Sequence, residues 1–301
     1  MARWVITQTL ADNQAPITVR DLLQQQWLLP KRIIHYLRVR DNVLVNGHYH
    51  PFNTLVKPND RVELRFSGDE FRTGRSNYRP TAHPKLDILY EDSNLLVVNK
   101  PAGQKMHPNE AGETGTVMND VAGYLADGLS AAYMVHRLDK ETSGAVIVAK
   151  NPVVVPILDK RIAAGQVHRQ YLAVVEGQLT GSGRFDDPIG DDPTDPWRRK
   201  INGPGAQPAV TDYRSLAANA QASLVALTLQ TGRTHQLRVH LSHAGHPIIG
   251  DPIYNAHPAA HMLLHGYQQT VILPFSNRQV EITAPTPPYF DQTLIEYGLV
   301  R

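Results

Sequence analysis

Tyr133-Met134-Val135-His136-Arg137-Leu138-Asp139-Lys140-Glu141-Thr142-Ser143-Gly144-Ala145-Val146-Ile147-Val148-Ala149 is the stretch on which the reading of this chain turns. Its second half, small and β-branched, reads as a buried strand. Its middle differs: five of the six residues from His136 to Glu141 are ionisable, and a Thr-Ser-Gly turn separates them from the apolar run. A charge cluster opening directly into a buried strand is costly unless it lines a cleft. Asp139 lies between the cations Arg137 and Lys140. An acid so flanked, beside a strand, has the makings of a nucleophile or base in a site that also attracts a polyanion. On residue types alone, a surface loop with a local ion pair fits equally well.

The rest of the chain sets the bounds. Its 301 residues suggest two domains, and 42% hydrophobic residues supply a real core. Cysteine is absent, which excludes disulfides, thiolate zinc sites and cysteine nucleophiles. No signal-type leader and no run of 18 apolar residues occurs, so the expectation is a cytoplasmic protein with no membrane segment, taken as a monomer. Charge is unevenly spread: residues 1–85 hold 13 Lys and Arg against 7 Asp and Glu, whereas residues 86–301 hold 17 against 21. A basic front on a mildly acidic body suggests a nucleic-acid grip attached to something else.

In that front, Thr18–Trp27 reads as a helix capped by Thr18, with Val19, Leu22, Leu23 and Trp27 as its apolar face. Pro30 opens a second helix that turns Ile33, Ile34 and Leu37 inward and Lys31, Arg32, His35 and Arg38 outward. Val43-Leu44-Val45-Asn46-Gly47 is a strand with a tight-turn signal, and Pro58-Asn59-Asp60 leads into the alternating strand Arg61–Phe66. Two small helices followed by this strand–turn–strand pattern resemble a small S4-like α/β RNA-binding domain over residues 1–66. The resemblance implies that Lys31, Arg32 and Arg38 contact phosphate and position RNA rather than read its bases. Residues 67–84 lack periodicity and read as a basic linker.

Beyond it, Leu95–Val98 reads as a strand, Thr116–Leu125 as a helix, and Pro152–Ala164 as a helix capped by Asn151 and stopped by Gly165. Val167–Val175 and Leu224–Leu229 read as strands, and Asp186–Pro208 as a long surface excursion. Thr234–His243 fits a strand end or a helix; periodicity does not decide.

Several of these segments together resemble the RluA/RluD-type pseudouridine synthases. They are His136–Gly144, Asn99-Lys100-Pro101-Ala102-Gly103 with His107-Pro108, and Val167–Gly177. Thr231–Leu241 with Gly245–Asp251, and Leu264-His265-Gly266 with Ala284–Pro287, complete the set in the family's order. Two departures occur: His168-Arg169 stands where a Lys is common, and Gly266 replaces the more usual small residue after His265. The resemblance implies an α+β catalytic domain over residues 85–301, built on a mixed, largely antiparallel sheet. It implies isomerisation of uridine in RNA to its C-glycoside, without cofactor or metal. The expected substrate is large-subunit, 23S-type ribosomal RNA, with tRNA as the alternative. Asp139 matches the catalytic acid, acting as nucleophile or base, Arg238 the arginine paired with it, and Tyr171 the tyrosine that stacks on the base and helps remove the C5 proton. Arg137 matches a residue that fills the gap left by a flipped nucleotide. His136 and Lys100 enter as candidate RNA contacts.

Two rivals remain in view. His235, His240, His243 and His246 with Asp251 could suggest a metal hydrolase, although their spacing fits no metal template. A non-catalytic RNA-binding protein with the same fold is opposed by the joint presence of Asp139, Tyr171 and Arg238.

Overall fold

A computed structural model describes residues 3–71, 76–128, 130–257, 259–276 and 278–299. The front of the chain carries strands β1 (Trp4–Thr9), β2 (Ile17–Thr18), β3 (Val43–Val45), β4 (His48–Tyr49), β5 (Leu55–Val56) and β6 (Arg61–Phe66), with helices α1 (Val19–Asp21) and α2 (Lys31–Val39). Four of the strands form one sheet in the order β1-β6-β3-β4. Asn46 and Gly47 both take positive φ, 51° and 84°, as the tight turn between β3 and β4 requires. The Asn46 amide also donates to Asp60 (2.8 Å) and accepts from the Arg61 N–H (2.9 Å), which ties this turn to the one before β6.

The helix expected over Thr18–Trp27 does start at its Thr18 cap, whose hydroxyl accepts from the Asp21 N–H (3.1 Å). After Asp21 it widens into a π turn over Leu22–Gln26. The four apolar residues are buried as their spacing predicts. The wider turn delivers Trp27 edge-on to Phe275 of the second domain, ring centroids 5.3 Å apart, so packing across the domain boundary overrides regular α geometry.

The second domain is built on β7 (Ile88–Glu91), β8 (Leu95–Lys100), β9 (Tyr133–Met134), β10 (Ser143–Ala149), β11 (His168–Glu176), β12 (Ser182–Phe185), β13 (Ile189–Asp191), β14 (Arg199–Ile201), β15 (Thr211–Ala218), β16 (Ala222–Leu229), β17 (Leu264–Ile272) and β18 (Gln279–Thr283). Its helices are α3 (Val117–Tyr124), α4 (Val155–Ala163), α5 (Gln236–His243) and α6 (Pro288–Glu296). The main sheet runs β12-β15-β16-β11-β17-β10-β8-β7, with β18 beside β17 and β9 beside β10. All of its pairings are antiparallel except the short parallel contact of β10 with β17, so the sheet is the mixed, largely antiparallel one expected.

Strand β10 shows why its sequence is apolar throughout. All seven residues are buried, because Ala145, Ile147 and Ala149 enter one core while Val146 and Val148 enter the other. The first core is continuous with the interior of the front domain and takes in α4; the second lies under α3, α5 and α6. Thr116 caps α3 in a reciprocal box with Asn119. The helix expected from Pro152 with Asn151 as its cap starts later, at Val155 behind Val154, because the Asn151 side chain accepts from the Val153 and Val154 N–H groups and holds a turn ahead of α4.

Two expectations change. The described parts of 67–84 are pinned rather than free: Arg40 pairs with Asp69 (2.6 Å) and Glu70 (2.9 Å), and the Asn119 amide holds the Arg79 carbonyl (2.8 Å). Arg72 and Arg75 lie outside the described residues. The excursion over Asp186–Pro208 is partly ordered into the β13–β14 hairpin, whose Ile189 packs with Ala209 and with Val239 of α5.

Candidate active site

The site forms where the sheet splits. Strand β9 pairs with β10 only at Met134–Val148 and Tyr133–Ala149, and β17 only at Ser143–His265 and Gly144–Gly266. The edge of β10 between these contacts would otherwise show bare backbone. Two side chains take the place of a strand there. Gln269 donates to the Ala145 carbonyl (3.0 Å), and the Ile147 N–H donates to His136 Nε2 (3.1 Å). Residues 135–142 swing out from the gap and carry Asp139 into a cavity of about 380 Å³ lined by Tyr171, Arg169, His235, Arg238 and Leu264.

Lys100 fixes that loop. Its Nζ donates to the carbonyls of Pro101, Lys140 and Thr142, each at 2.8 Å, and only 1% of the residue is exposed. Burial pushes its pKa down to about 7, against the opposing pull of Glu141 and Asp139. This overturns the expectation of an RNA phosphate contact, since all three ammonium donors are spent on carbonyls. His136 is corrected likewise. Its Nε2 accepts from the backbone and its Nδ1 is buried without a partner, so it walls the cavity. Burial, reinforced by Arg169, pushes it down to about 3, and it is neutral at pH 7. At the loop's end Gly144 has φ +113°, and a Cβ there would collide with the Gly266 backbone, so the position requires glycine. Gly266 itself has ordinary room for a methyl group, with its nearest neighbours at 3.5 Å.

Arg238, on α5, meets two acids. Its Nε and Nη2 donate to the two oxygens of Asp251, both at 2.7 Å, and its Nη1 donates to Asp139 Oδ2 at 3.1 Å. Asp251 also accepts from the Ile253 and Tyr254 N–H groups. Burial opposes the charge on both partners, but their mutual bonds prevail: Asp251 is held below the usual carboxylate range and Arg238 above its usual value. The guanidinium lies 5.1 Å over the Tyr254 ring. The Tyr254 hydroxyl accepts from the Arg199 N–H (2.8 Å) and shares a hydrogen bond with His235 Nδ1 (3.0 Å). The other ring nitrogen, His235 Nε2, lies 3.8 Å from Asp139 Oδ2. His235 holds a left-handed backbone (φ 58°) at the head of α5, local strain of the kind that gathers at functional sites.

Tyr171 enters from β11, beside a register shift where β17 carries an extra residue between Gly266 and Gln268. Burial raises its pKa, and Arg169 pulls it back. Arg169 itself is 7% exposed, lines the cavity, and has no carboxylate within ion-pair distance among the described residues. Arg137 is exposed and lines both this cavity and a second one of about 300 Å³ on the other side of Asp139.

The structure thus brings Asp139, Tyr171, Arg238 and Arg137 together. Lys31, Arg32 and Arg38 are exposed on α2 and line neither cavity at Asp139. The histidines scatter: His240 bonds Thr211 and the Asp187 carbonyl, and His246 the Glu176 carbonyl. Among the described residues no three His, Cys, Asp or Glu gather to hold a metal. Asp251, Tyr254, His235 and Arg169 join the site without a sequence signal of their own for it. Asp251 lies thirteen residues beyond Arg238 and returns through a loop, which no spacing rule reports.

Comparison with known proteins agrees. A family model described as RNA pseudouridylate synthase matches residues 94–243, and one for the N-terminal domain of RluD ribosomal pseudouridine synthases matches residues 6–62. The chain belongs to the RNA pseudouridine synthase family and is an isomerase of that class. It is 37% identical over 287 residues to the uncharacterised RNA pseudouridine synthase YhcT of Bacillus subtilis, covering 90% of this chain and 93% of that one. It is 32% identical over 272 residues to ribosomal large subunit pseudouridine synthase D of Escherichia coli K12, covering 84% and 77%. The solved structure of human RNA pseudouridylate synthase domain containing 1 superposes with a TM-score of 0.58 at 28% identity, covering 71% of this chain and 89% of that one.

Proposed function

We propose that this synthase isomerises uridines of large-subunit ribosomal RNA, with Asp139 acting on a uridine flipped into the 380 Å³ cavity. The observation that carries the reading is Arg238, pinned by Asp251 and presenting its remaining N–H group to Asp139. The relative named for the ribosomal large subunit supports the substrate class. The reaction breaks the N1–C1′ bond, turns the base, forms C5–C1′, moves the C5 proton away and leaves a proton on N1. Attack at the sugar or base, and removal of a sugar proton, both call for a carboxylate at this place, which Arg238 aims. Tyr171 stacks on the base and, as a neutral phenol, relays the C5 proton, its oxygen taking that proton as its own passes on to solvent. Arg137, exposed at the rim, fills the gap left in the RNA and offsets part of a flipping cost of a few kcal/mol. Residues 1–66 hold the RNA through Lys31, Arg32 and Arg38, and residues 85–301 carry the chemistry.

The test uses unmodified large-subunit rRNA transcripts carrying tritium at uridine C5. Wild-type protein releases tritium; Asp139→Asn binds the transcript and releases none. Release from tRNA transcripts alone would move the substrate to tRNA, and full release by the Asp139 variant would end the assignment.

A further inference from the structure

The chain has three tryptophans; Trp4 and Trp27 are buried, while Trp197 is 76% exposed. It sits in the connection between β13 and β14 and lines the second cavity, of about 300 Å³, together with Asp139, Arg137, His107 and Lys140. An indole left in water beside a catalytic acid invites a partner with an aromatic face.

The loop that carries Trp197 is held rather than loose. The Thr194 N–H bonds Asp192 (2.9 Å), the Trp197 N–H bonds Asp195 (2.8 Å), and the Arg198 guanidinium lies 5.3 Å over the Tyr254 ring. The Arg199 N–H donates to the same Tyr254 hydroxyl that meets His235, the histidine facing Asp139. Trp197 is therefore tied through Tyr254 and His235 to the catalytic acid. Arg137, Leu138, Asp139, His235 and Arg238 line both cavities, so a single layer of side chains separates them.

We propose that Trp197 is a stacking platform for the unpaired nucleobase next to the target uridine in the RNA strand, which occupies the second cavity. The inference rests on the uridine entering the first cavity. A nucleotide one sugar-phosphate away from it must then pass the rim at Arg137 and arrive at the indole. At the rim Lys105 is paired with Glu113 (2.5 Å) and Lys140 with Glu141 (3.3 Å), while Arg137 is exposed with no carboxylate within ion-pair distance among the described residues, so one open guanidinium beside the indole suits a phosphate-linked base better than an apolar peptide. Every base offers a π face, so the platform adds grip at the neighbouring position with little choice of base.

The experiment exploits the burial of the other two tryptophans. Full-length protein is excited at the red edge of the indole band and titrated with the large-subunit rRNA transcript. The expected result is quenching of the solvent-exposed emission in wild type and none in Trp197→Phe. Trp197→Ala raises KM for tritium release about 5- to 150-fold, the cost of one lost stacking contact, with a much smaller fall in kcat. Trp197→Phe, which keeps a smaller ring, falls between the two. An unchanged KM in Trp197→Ala, or wild-type emission unaffected by RNA that a filter assay shows to be bound, overturns the proposal. If wild type instead forms no pseudouridine in the transcript, it is the reading of the substrate that fails.

Discussion

Asp251→Asn tests the central relation of the site, because it alters one oxygen of one residue that touches no substrate in the proposed reaction. Asp251 Oδ1 accepts from Arg238 Nη2 and from the Ile253 and Tyr254 N–H groups, and Oδ2 faces Arg238 Nε at 2.7 Å. In the asparagine variant the loaded Oδ1 stays an acceptor and the new NH₂ takes the Oδ2 place. It then points a donor at the Nε–H of Arg238, and the charge that compensates the guanidinium is gone. Breaking a buried pair in this way costs about 3–5 kcal/mol, which lowers the melting temperature by roughly 5–8 °C for a chain of this size. The chemical step suffers separately. Arg238 is left with Asp139 as its only acidic partner among the described residues, swings toward it and shifts the carboxylate, and a displacement near 1 Å costs about 100-fold in rate. Thermal unfolding gives the first number and single-turnover tritium release the second. Asp139→Asn is the counterpart: the side chain there is 20% exposed with one longer bond to Arg238, so stability changes by less than about 1 kcal/mol while activity vanishes. An Asp251→Asn protein that melts with wild type and turns over within threefold of it refutes the pinning of Arg238 as the organising contact.

Lys100→Met leaves three buried carbonyls unpaired and lowers stability by roughly 2 kcal/mol or more in urea, after allowing for relief of the lysine's own burial; the salt dependence of RNA binding stays unchanged, whereas a lost phosphate contact would reduce its slope by about 0.7–0.9. His136 has a folded pKa near 3 against an ordinary 6.5, so falling pH protonates the unfolded chain first. Its contribution is therefore complete above pH 6.5 and drains away between 6.5 and 3, and His136→Gln, which can still accept from the Ile147 N–H, flattens that part of a stability–pH curve. Gly144→Ala costs upwards of about 3 kcal/mol from its positive φ and the clash with Gly266, while Gly266→Ala stays within about 1 kcal/mol; equal midpoints for the two in chemical denaturation would contradict the geometry. Replacing Lys31, Arg32 and Arg38 together by Ala weakens RNA binding across sequences and lowers the salt slope by roughly 2–3, without moving single-turnover rates at saturating RNA.

The front domain shows why substitution is a better probe than deletion. Trp27 covers Phe275, and Lys160 Nζ donates to the Leu28 carbonyl (2.9 Å), so removing residues 1–66 would uncover part of the second domain's core as well as the RNA grip. A boundary drawn at residue 66 marks where the strand and turn pattern ends, not where packing stops.

Much of this architecture is readable wherever a local rule acts alone. Asn46-Gly47, Thr116, Asn151 and Gly165 punctuate the elements as capping and turn chemistry dictate. The site acid and its arginine emerge from long motifs in order. Reading fails where tertiary context takes over. Gln236 to Leu241 are all buried, so this part of α5 has no solvent-exposed face, and its Leu237, Val239 and Leu241, alternating with the buried polar Gln236, Arg238 and His240, mimic a strand's alternation. Lys100 and His136 look like RNA contacts in the sequence because side-chain type reports charge but not direction. Both point inward, toward the loop and strand edge they complete.

That inward turn explains a cost carried at the gap in the sheet. His136 Nδ1, Arg169 Nε and Gln269 Oε1 are all buried without partners, and they come from the residues that line or bridge the broken edge of β10. Leaving a buried polar atom unpaired costs about 1–3 kcal/mol, and folded proteins tolerate few of them. A sheet closed by continuous β9–β10 and β10–β17 pairing would satisfy the backbone without His136 or Gln269, but it would leave no room for residues 135–142 to carry Asp139 outward. The fold gives up local stability at that edge, and the large apolar cores on both faces of β10 supply the margin that allows it.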